Sequence, residues 1–410
     1  MRIMLCHNYY QQRGGEDQSF EEEARLLESR GQYVLRFTMH NDDVNGRSRW
    51  TTARDTLWNG RSRAAVRKTI RSFRPEIMHC TNTFPLISPS VYYAARAEGV
   101  PVVQSLRNFR LLCFNCQCMR AGTPCDACAN RLFPWPGIVH RCYRDDRAAS
   151  AVVAGMLALH RFLRTWTRMV DRYFTPTEFA RRKFIAGGLA AEAIAVKPNF
   201  VHPDPGAGDG SGGYAMFAGR LSSEKGLDTL LAAWNRLEGR LPLKILGDGP
   251  LAETVRAAAK QHREIDWLGR VPRDEVLAVA RRAACLVFPS TGHETFGRTI
   301  IEAFATGTPV VASRMGAMAE LVDEGRTGLL FRPGDADDLA QKVRTMTDDP
   351  ARLAEMRRAA RREYLKNYTD DDNYRMLIRI YEEARTRKDC RRATMLSSRL
   401  RPAGSPHRKD

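Results

Sequence analysis

The feature that most constrains this chain is an alternation of strand-like and helix-like segments that runs twice, with a break between the two runs. The break is Pro203-Asp204-Pro205-Gly206-Ala207-Gly208-Asp209-Gly210-Ser211-Gly212-Gly213, a stretch with no side chain able to build a core. Before it, residues 2–6, 34–37, 77–80 and 100–105 read as short buried strands, and residues 17–29, 61–73 and 89–97 read as helices between them. After it, residues 214–218, 243–246, 285–288 and 309–312 repeat the strand pattern. Strands alternating with helices predict a parallel sheet covered on both faces. The expected fold class is therefore α/β, with two doubly wound Rossmann-like domains facing each other across a cleft. We expect a first domain over 1–200 with a Cys-rich insert at 107–147, a linker at 201–213, and a second domain over 214–384. The last helices are expected to pack back on the first domain, and 385–410 to form a disordered basic tail. Ligands of such sheets sit at the carboxyl ends of the strands, so the cleft is the expected site.

No run reaches the ~18 apolar residues of a membrane span, and Met1–Cys6 is too short for a secretory leader. The expectation is a cytoplasmic protein, peripheral at most on the inner membrane face. The net charge of +18 is uneven: residues 1–200 hold 30 bases and 17 acids, whereas 201–384 hold 26 and 28. A basic first half suits nucleic acid, anionic lipid or a phosphorylated substrate. The excess of Arg over Lys fits a coding bias, but the asymmetry between halves does not.

Common phosphate-loop, nucleophile-elbow and zinc-helix patterns are absent. Asp335-Ala336-Asp337 and Asp370-Asp371-Asp372 resemble metal–diphosphate pairs, yet both sit where helices begin and read better as helix-start acids. The second run holds the stronger chemistry. Phe217-Ala218-Gly219-Arg220 ends a strand, and Ser222-Ser223-Glu224-Lys225-Gly226 opens a helix. There Arg220 and Lys225 can neutralise a diphosphate. A second junction, Pro289 to Arg298, places Glu294 on a loop and Glu302 eight positions later in a helix. Carboxylates accept paired sugar hydroxyls; the competing reading is ordinary surface acids near a helix start.

Together these segments resemble the retaining GT-B glycosyltransferases of family 4. The resemblance runs through Phe217–Arg220, Leu246-Gly247-Asp248-Gly249-Pro250, Leu268-Gly269-Arg270-Val271, Glu294-Thr295-Phe296-Gly297 to Glu302-Ala303, Gly307–Ala312 and Gly328–Phe331. It implies that Glu294 and the backbone of Thr295, Phe296 and Gly297 hold the donor sugar. Arg220, Lys225 and the helix start at Gly297, Arg298 and Thr299 would hold the diphosphate, and Glu302 the ribose. Gly14-Gly15-Glu16 resembles the family's G-G-x-E loop, with Gly15 beside the donor phosphates. Asn8-Tyr9-Tyr10 and Asn82-Thr83-Phe84-Pro85 resemble a surface-polysaccharide subgroup. Two positions depart, since the family often has His where Arg107 and Thr81 stand. Arg107 would grip the leaving diphosphate or an anionic acceptor; its guanidinium stays protonated and cannot be a base. The implied reaction is hexosyl transfer with retention from a UDP- or GDP-sugar, without a catalytic metal, onto a lipid-linked or growing glycan.

Two further features concern the acceptor side. Six cysteines crowd residues 113–142, and in a reducing compartment this points to metal before disulfides. Cys113, Cys125, Cys128 and Cys142 would hold a structural zinc, with Cys116, Cys118 and His140 leaving the ligand set open. Residues 148–173 read as one helix whose apolar face and Arg flanks would lie on anionic lipid; a core helix with a solvated Arg face fits equally. The competing functions are a catalytically silent scaffold of the same fold and a nucleic-acid-binding protein. No nucleic-acid partner is expected, because no recognition helix or aromatic–basic strand pattern appears.

Overall fold

A computed structural model describes the backbone of residues 1–399 and the side chains of residues 1–387. The first sheet has six parallel strands: β1 (Arg2–Tyr9), β2 (Tyr33–His40), β3 (Ile77–Asn82), β4 (Val102–Ser105), β7 (Arg172–Thr175) and β8 (Ile194–Val196). They lie in the order β2-β1-β3-β4-β7-β8. Between β4 and β7 the chain makes only a small hairpin, β5 (Met119–Arg120) with β6 (Thr123–Pro124). The second sheet holds β9 (Ala215–Ala218), β10 (Leu243–Leu246), β11 (Ile265–Gly269), β12 (Cys285–Phe288), β13 (Val310–Ser313) and β14 (Gly328–Phe331). Its order is β11-β10-β9-β12-β13-β14, again parallel throughout. These are two doubly wound Rossmann-like units.

The inner strands of each sheet, such as β3, β4, β9, β12 and β13, are buried on both faces and read as apolar-rich runs, whereas the edge strands β2 and β11 are partly exposed. Along β1 the two-residue period sends Met4 and Cys6 to one face, with Met78 and Cys80 of β3. Ile3 and Leu5 go to the other, against Phe20, Ala24 and Leu27 of the helix Gly15–Ser29. That second face is closed by the far end of the chain. The helix Asp370–Arg399 lays Leu377, Ile380, Tyr381 and Ala384 on it. The tail expected from Arg385 begins inside this helix, where Arg385 pairs with Glu76 at 3.2 Å. Residues 400–410 lie outside the described residues.

The chain crosses between the units twice, and the two crossings touch. Val201 N donates to Tyr368 O (3.1 Å), Lys197 Nζ to Asn373 Oδ1 (2.7 Å) and Asn373 Nδ2 to Pro198 O (2.6 Å). Asp335 caps the helix Ala336–Thr347 by accepting from the amides of Asp337 and Asp338, which accounts for one of the two acidic pairs.

Residues 148–173 are not one helix. The helix Arg147–Phe162 ends before Arg164, whose φ of 53° breaks the run, and Thr165–Arg168 forms a separate turn. Met156, Leu157 and Trp166 are buried in the first core, so the core reading holds for them, whereas Phe162 of the same segment stays exposed.

Candidate functional site

The strand-to-helix loops of the second sheet gather at its carboxyl edge because the backbones there approach closely. A Cβ on Gly247 would lie 1.8 Å from Gly219 O, and one on Gly226 (φ +71°) would lie 2.0 Å from Pro289 O. Only glycine permits the loops after β9, β10 and β12 to nest in this way. On this cradle Arg220 is exposed and makes no ion pair among the described residues. Lys225 Nζ bonds Glu294 Oε1, which also accepts from Ser290 Oγ (3.2 Å). The cation expected to meet the diphosphate and the carboxylate expected to meet the sugar therefore satisfy each other. Phe296 is buried in the core beneath them, and Arg298 begins an eight-residue helix with Thr299 in its first turn.

Glu302 lies on that helix and is only 6% exposed. Its Oε1 accepts from Arg273 Nε at 3.1 Å and lies 3.4 Å from Arg298 Nε, which makes no hydrogen bond among the described residues. The same two guanidiniums cross the cleft to Glu22 on the first helix: Arg298 directly, Arg273 at 3.6 Å. Arg298 Nη1 also reaches Ser19 Oγ (3.2 Å). Further bonds span the cleft. Thr177 Oγ1 donates to Thr295 O (2.8 Å), and Thr295 Oγ1 donates to Arg107 O (2.7 Å). Glu320 accepts from the amides of Glu178 (2.7 Å) and Phe179 (2.6 Å), which open the helix Glu178–Ala186.

On the first domain, Gly14 and Gly15 open the first helix with nothing within 4 Å of an added Cβ, an approach left clear for a ligand. Glu16 beside them bonds Tyr10 OH (2.7 Å) and Asn108 Nδ2 (2.8 Å). A cavity of about 50 Å³ lies between Glu16, Asn82, Thr83, Gln104, Ser105 and Arg107.

Arg107 does not take the place expected of it. Its guanidinium turns inward, where Nη2 bonds Glu23 Oε1 at 2.6 Å and Nη1 bonds Asn199 Oδ1. Lys197 Nζ reaches the same Glu23 oxygen at 2.6 Å. Burial by itself would raise the Glu23 carboxyl, but Arg107 and Lys197 outweigh it and hold the group at about 2. At Lys197 burial dominates and, with the neighbouring Arg107 adding to it, pushes the ammonium down to about 8 although Glu23 raises it. As placed, Arg107 fixes its own carbonyl under Thr295 and is not free for a diphosphate.

The four cysteines expected to hold zinc, Cys113, Cys125, Cys128 and Cys142, lie close enough to feel one another's charge. Among the described residues no group of three His, Cys, Asp or Glu side chains is arranged to hold a metal. Cys113 Sγ turns to Asn115 Oδ1 (2.9 Å), and its thiol is lowered to about 6, chiefly by Cys118. Cys128 Sγ faces Pro134 O at 3.8 Å, and burial raises Cys128 and Cys142. The insert is anchored by Phe109, Leu112 and Phe114, which enter the first core.

The sequence did not reveal Glu22, Glu23, Lys197 or Arg273. Arg273 stands just beyond the Leu268–Val271 motif, and the other three look like solvated charges on helix or linker until the fold brings them together.

Residues 15–199 match the family model described as "Glycosyl transferase 4-like domain", and residues 212–349 match "Glycosyl transferases group 1". A glycogen synthase of Mycobacterium tuberculosis is 36% identical over 159 residues, 37% of this chain and 38% of that protein. A 2-deoxystreptamine glucosyltransferase of Streptomyces kanamyceticus is 35% identical over 187 residues, 44% and 46% of the two chains. The match therefore spans less than half the length of these relatives. Over the whole fold, HepE of Anabaena in complex with UDP superposes with a TM-score of 0.66 at 17% identity, covering 92% of this chain and 99% of that one. The same protein has also been solved with UDP-glucose.

Proposed function

This chain belongs to the group 1 glycosyltransferases of GT-B fold, and from that premise we propose that it moves a hexosyl unit from a UDP-sugar to a glycan or lipid-linked acceptor. The observation that carries the reading is the mutual pairing of Lys225 with Glu294 on loops that share one glycine-nested cradle. A bound sugar diphosphate suits both partners better than they suit each other. Its phosphates would take Lys225 and the exposed Arg220, and its hydroxyls would donate to the freed Glu294 carboxylate. Glu302 Oε2 would accept from the ribose while Arg273 and Arg298 keep Oε1, and the amides at Gly297–Thr299 would face the phosphates. Thr295 and Phe296 would shape the sugar subsite, and Gly15 would close over the phosphates from the first domain.

In this scheme the acceptor attacks from the face that the diphosphate leaves, with retention and without a protein nucleophile. The chain's task is to stabilise charge on the departing diphosphate, which Arg220 and Lys225 do without a divalent ion. Arg107 acts as a positioning residue through its carbonyl on Thr295. The donor base is taken as uracil because the structurally similar HepE was solved with UDP. GDP is the alternative.

The test is turnover of a panel of UDP- and GDP-sugars with glycan and lipid-linked acceptors, read as released nucleotide and product anomer by NMR. An α-configured product from an α-configured UDP-sugar is expected. A chain that is folded, binds neither nucleotide by calorimetry and releases none would overturn the proposal in favour of a silent scaffold.

A further inference from the structure

Ten large apolar side chains are exposed among the described residues, and four of them fall within eight consecutive positions: Leu132, Phe133, Trp135 and Val139. Scattered exposed apolar residues need no explanation, but a cluster does. This one is not a loose loop. Pro134, Pro136 and Gly137 between the exposed tips are buried, and Gly137 packs so tightly that a Cβ would lie 2.3 Å from the Phe114 ring. The amides of Ile138 (2.9 Å) and Val139 (3.2 Å) bond Trp135 O, closing a helical turn. Arg161, near the end of the helix Arg147–Phe162, donates to the carbonyls of Cys128 (3.2 Å) and Arg131. The next residue, Phe162, is 74% exposed. The backbone is thus fixed to the scaffold while the apolar tips point out.

The charge around these tips is one-sided. Arg131, Arg141, Arg144 and Arg147 are exposed, and none makes an ion pair among the described residues. Arg131 lies over the Trp135 ring at 5.5 Å. Of the nearby acids, Asp146 is engaged with Arg49 and the Ala149 amide, Asp126 with Lys183, and only Asp145 is uncommitted. A protein partner would be expected to meet a more mixed rim. Trp, Phe and Leu tips ringed by unpaired arginines match the headgroup layer of an anionic bilayer.

We propose that the segment Leu132–Val139, with Phe162, docks this chain on an anionic membrane surface. Docking needs no donor sugar, so it stands apart from the glycosyl-transfer reading and extends it on the acceptor side. The insert begins at Arg107, whose carbonyl is held by Thr295 of the donor loop, so a bilayer gripping the insert lies on the chain's route from the cleft.

The test is co-sedimentation of the full chain with vesicles of phosphatidylcholine alone or mixed with phosphatidylglycerol. The expected result is binding to the mixed vesicles that weakens with salt. Replacing three anchors, Leu132→Ser, Phe133→Ser and Trp135→Ser together, should lower partition about tenfold or more while thermal midpoint and UDP affinity stay at parental values. Phe133→Ser alone reads the same contact should the triple variant fail to fold. Exchanging Arg131, Arg141 and Arg144 for Gln should abolish the preference for phosphatidylglycerol. Docking is overturned if the parent stays in the supernatant at low salt, or if the folded Ser variants bind as the parent does. It is equally overturned if lipid-free parent self-associates through this patch and the Ser variants do not, which would make it a protein interface. Turnover without vesicle binding refutes docking alone, whereas vesicle binding without turnover refutes the reaction alone.

Discussion

Replacing Glu23 by Gln should cost the fold more than removing any other single charge in the first domain. Glu23 is 2% exposed and is the one carboxylate between Arg107 and Lys197, both at 2.6 Å. The amide keeps the shape and loses the charge, leaving two buried cations with only Asn199 and Asn373 as neutral partners. Breaking a buried pair in this way costs about 3–5 kcal/mol. A second route gives a similar figure. A carboxyl held at about 2 against its ordinary 4.5 corresponds to about 3 kcal/mol of stability at neutral pH, to order of magnitude. Because the folded value is depressed, that stability is present above pH 4.5 and is lost as pH falls towards 2. Urea unfolding followed by circular dichroism at pH 7 should therefore separate parent and Glu23→Gln by about 3 kcal/mol, with the gap narrowing on acidification. The site carries one cation too many, so Lys197→Met should be tolerated far better and should restore part of the loss when combined with Glu23→Gln. A difference below about 1 kcal/mol at pH 7, or a gap that does not change with pH, would refute the argument that Glu23 compensates these cations.

Lys225→Ala should lower kcat/KM roughly 10- to 150-fold, the worth of one charge-assisted bond to a buried anion; turnover should survive EDTA, and equal activity in the variant would exclude Lys225 from the diphosphate site. Glu302→Ala should weaken UDP binding in calorimetry, whereas Glu294→Ala should leave UDP affinity nearly unchanged and lose turnover; equal losses would contradict the division between ribose and sugar. Glu22→Ala removes the first-domain carboxylate that meets Arg298 and Arg273, so a double-mutant cycle with Arg298→Ala should show coupling of roughly 0.5–3 kcal/mol in UDP affinity, and strict additivity would show that the cross-cleft ion pair is idle.

What could be read from the sequence is what lies in consecutive residues. β9 with Gly219-Arg220, and β12 with Glu294 and the helix that carries Glu302, are strand–loop–helix units whose composition shows their geometry locally. Arg107 could not be read this way, because its partner Glu23 lies 84 residues away and nothing in Leu106-Arg107-Asn108 distinguishes an inward guanidinium from an outward one. Residues 148–173 are ambiguous for another reason: an apolar stripe with arginines fits a lipid face and a core face equally, and only the burial of Met156, Leu157 and Trp166 in the first core decides for them. The cysteine spacing likewise fixed neighbourhood along the chain but not the direction of each thiol.

The two touching chain crossings bear on how the cleft can open. A rigid body tethered at a single point can rotate about three axes, whereas one held by two adjacent tethers in contact keeps chiefly the rotation about the line through them. With Val201 bonded to Tyr368, and Asn373 to Lys197 and Pro198, that line is fixed in the structure. Opening is then a swing with essentially one degree of freedom, and twist of one domain against the other is suppressed. The bonds that such a swing must break lie across the cleft, among them Arg298 with Glu22, Thr295 with Arg107 O, and Glu320 with the Phe179 amide. Because one coordinate governs them, they should part and re-form together, and the loop carrying Thr295 meets the first domain in a single register each time the cleft closes.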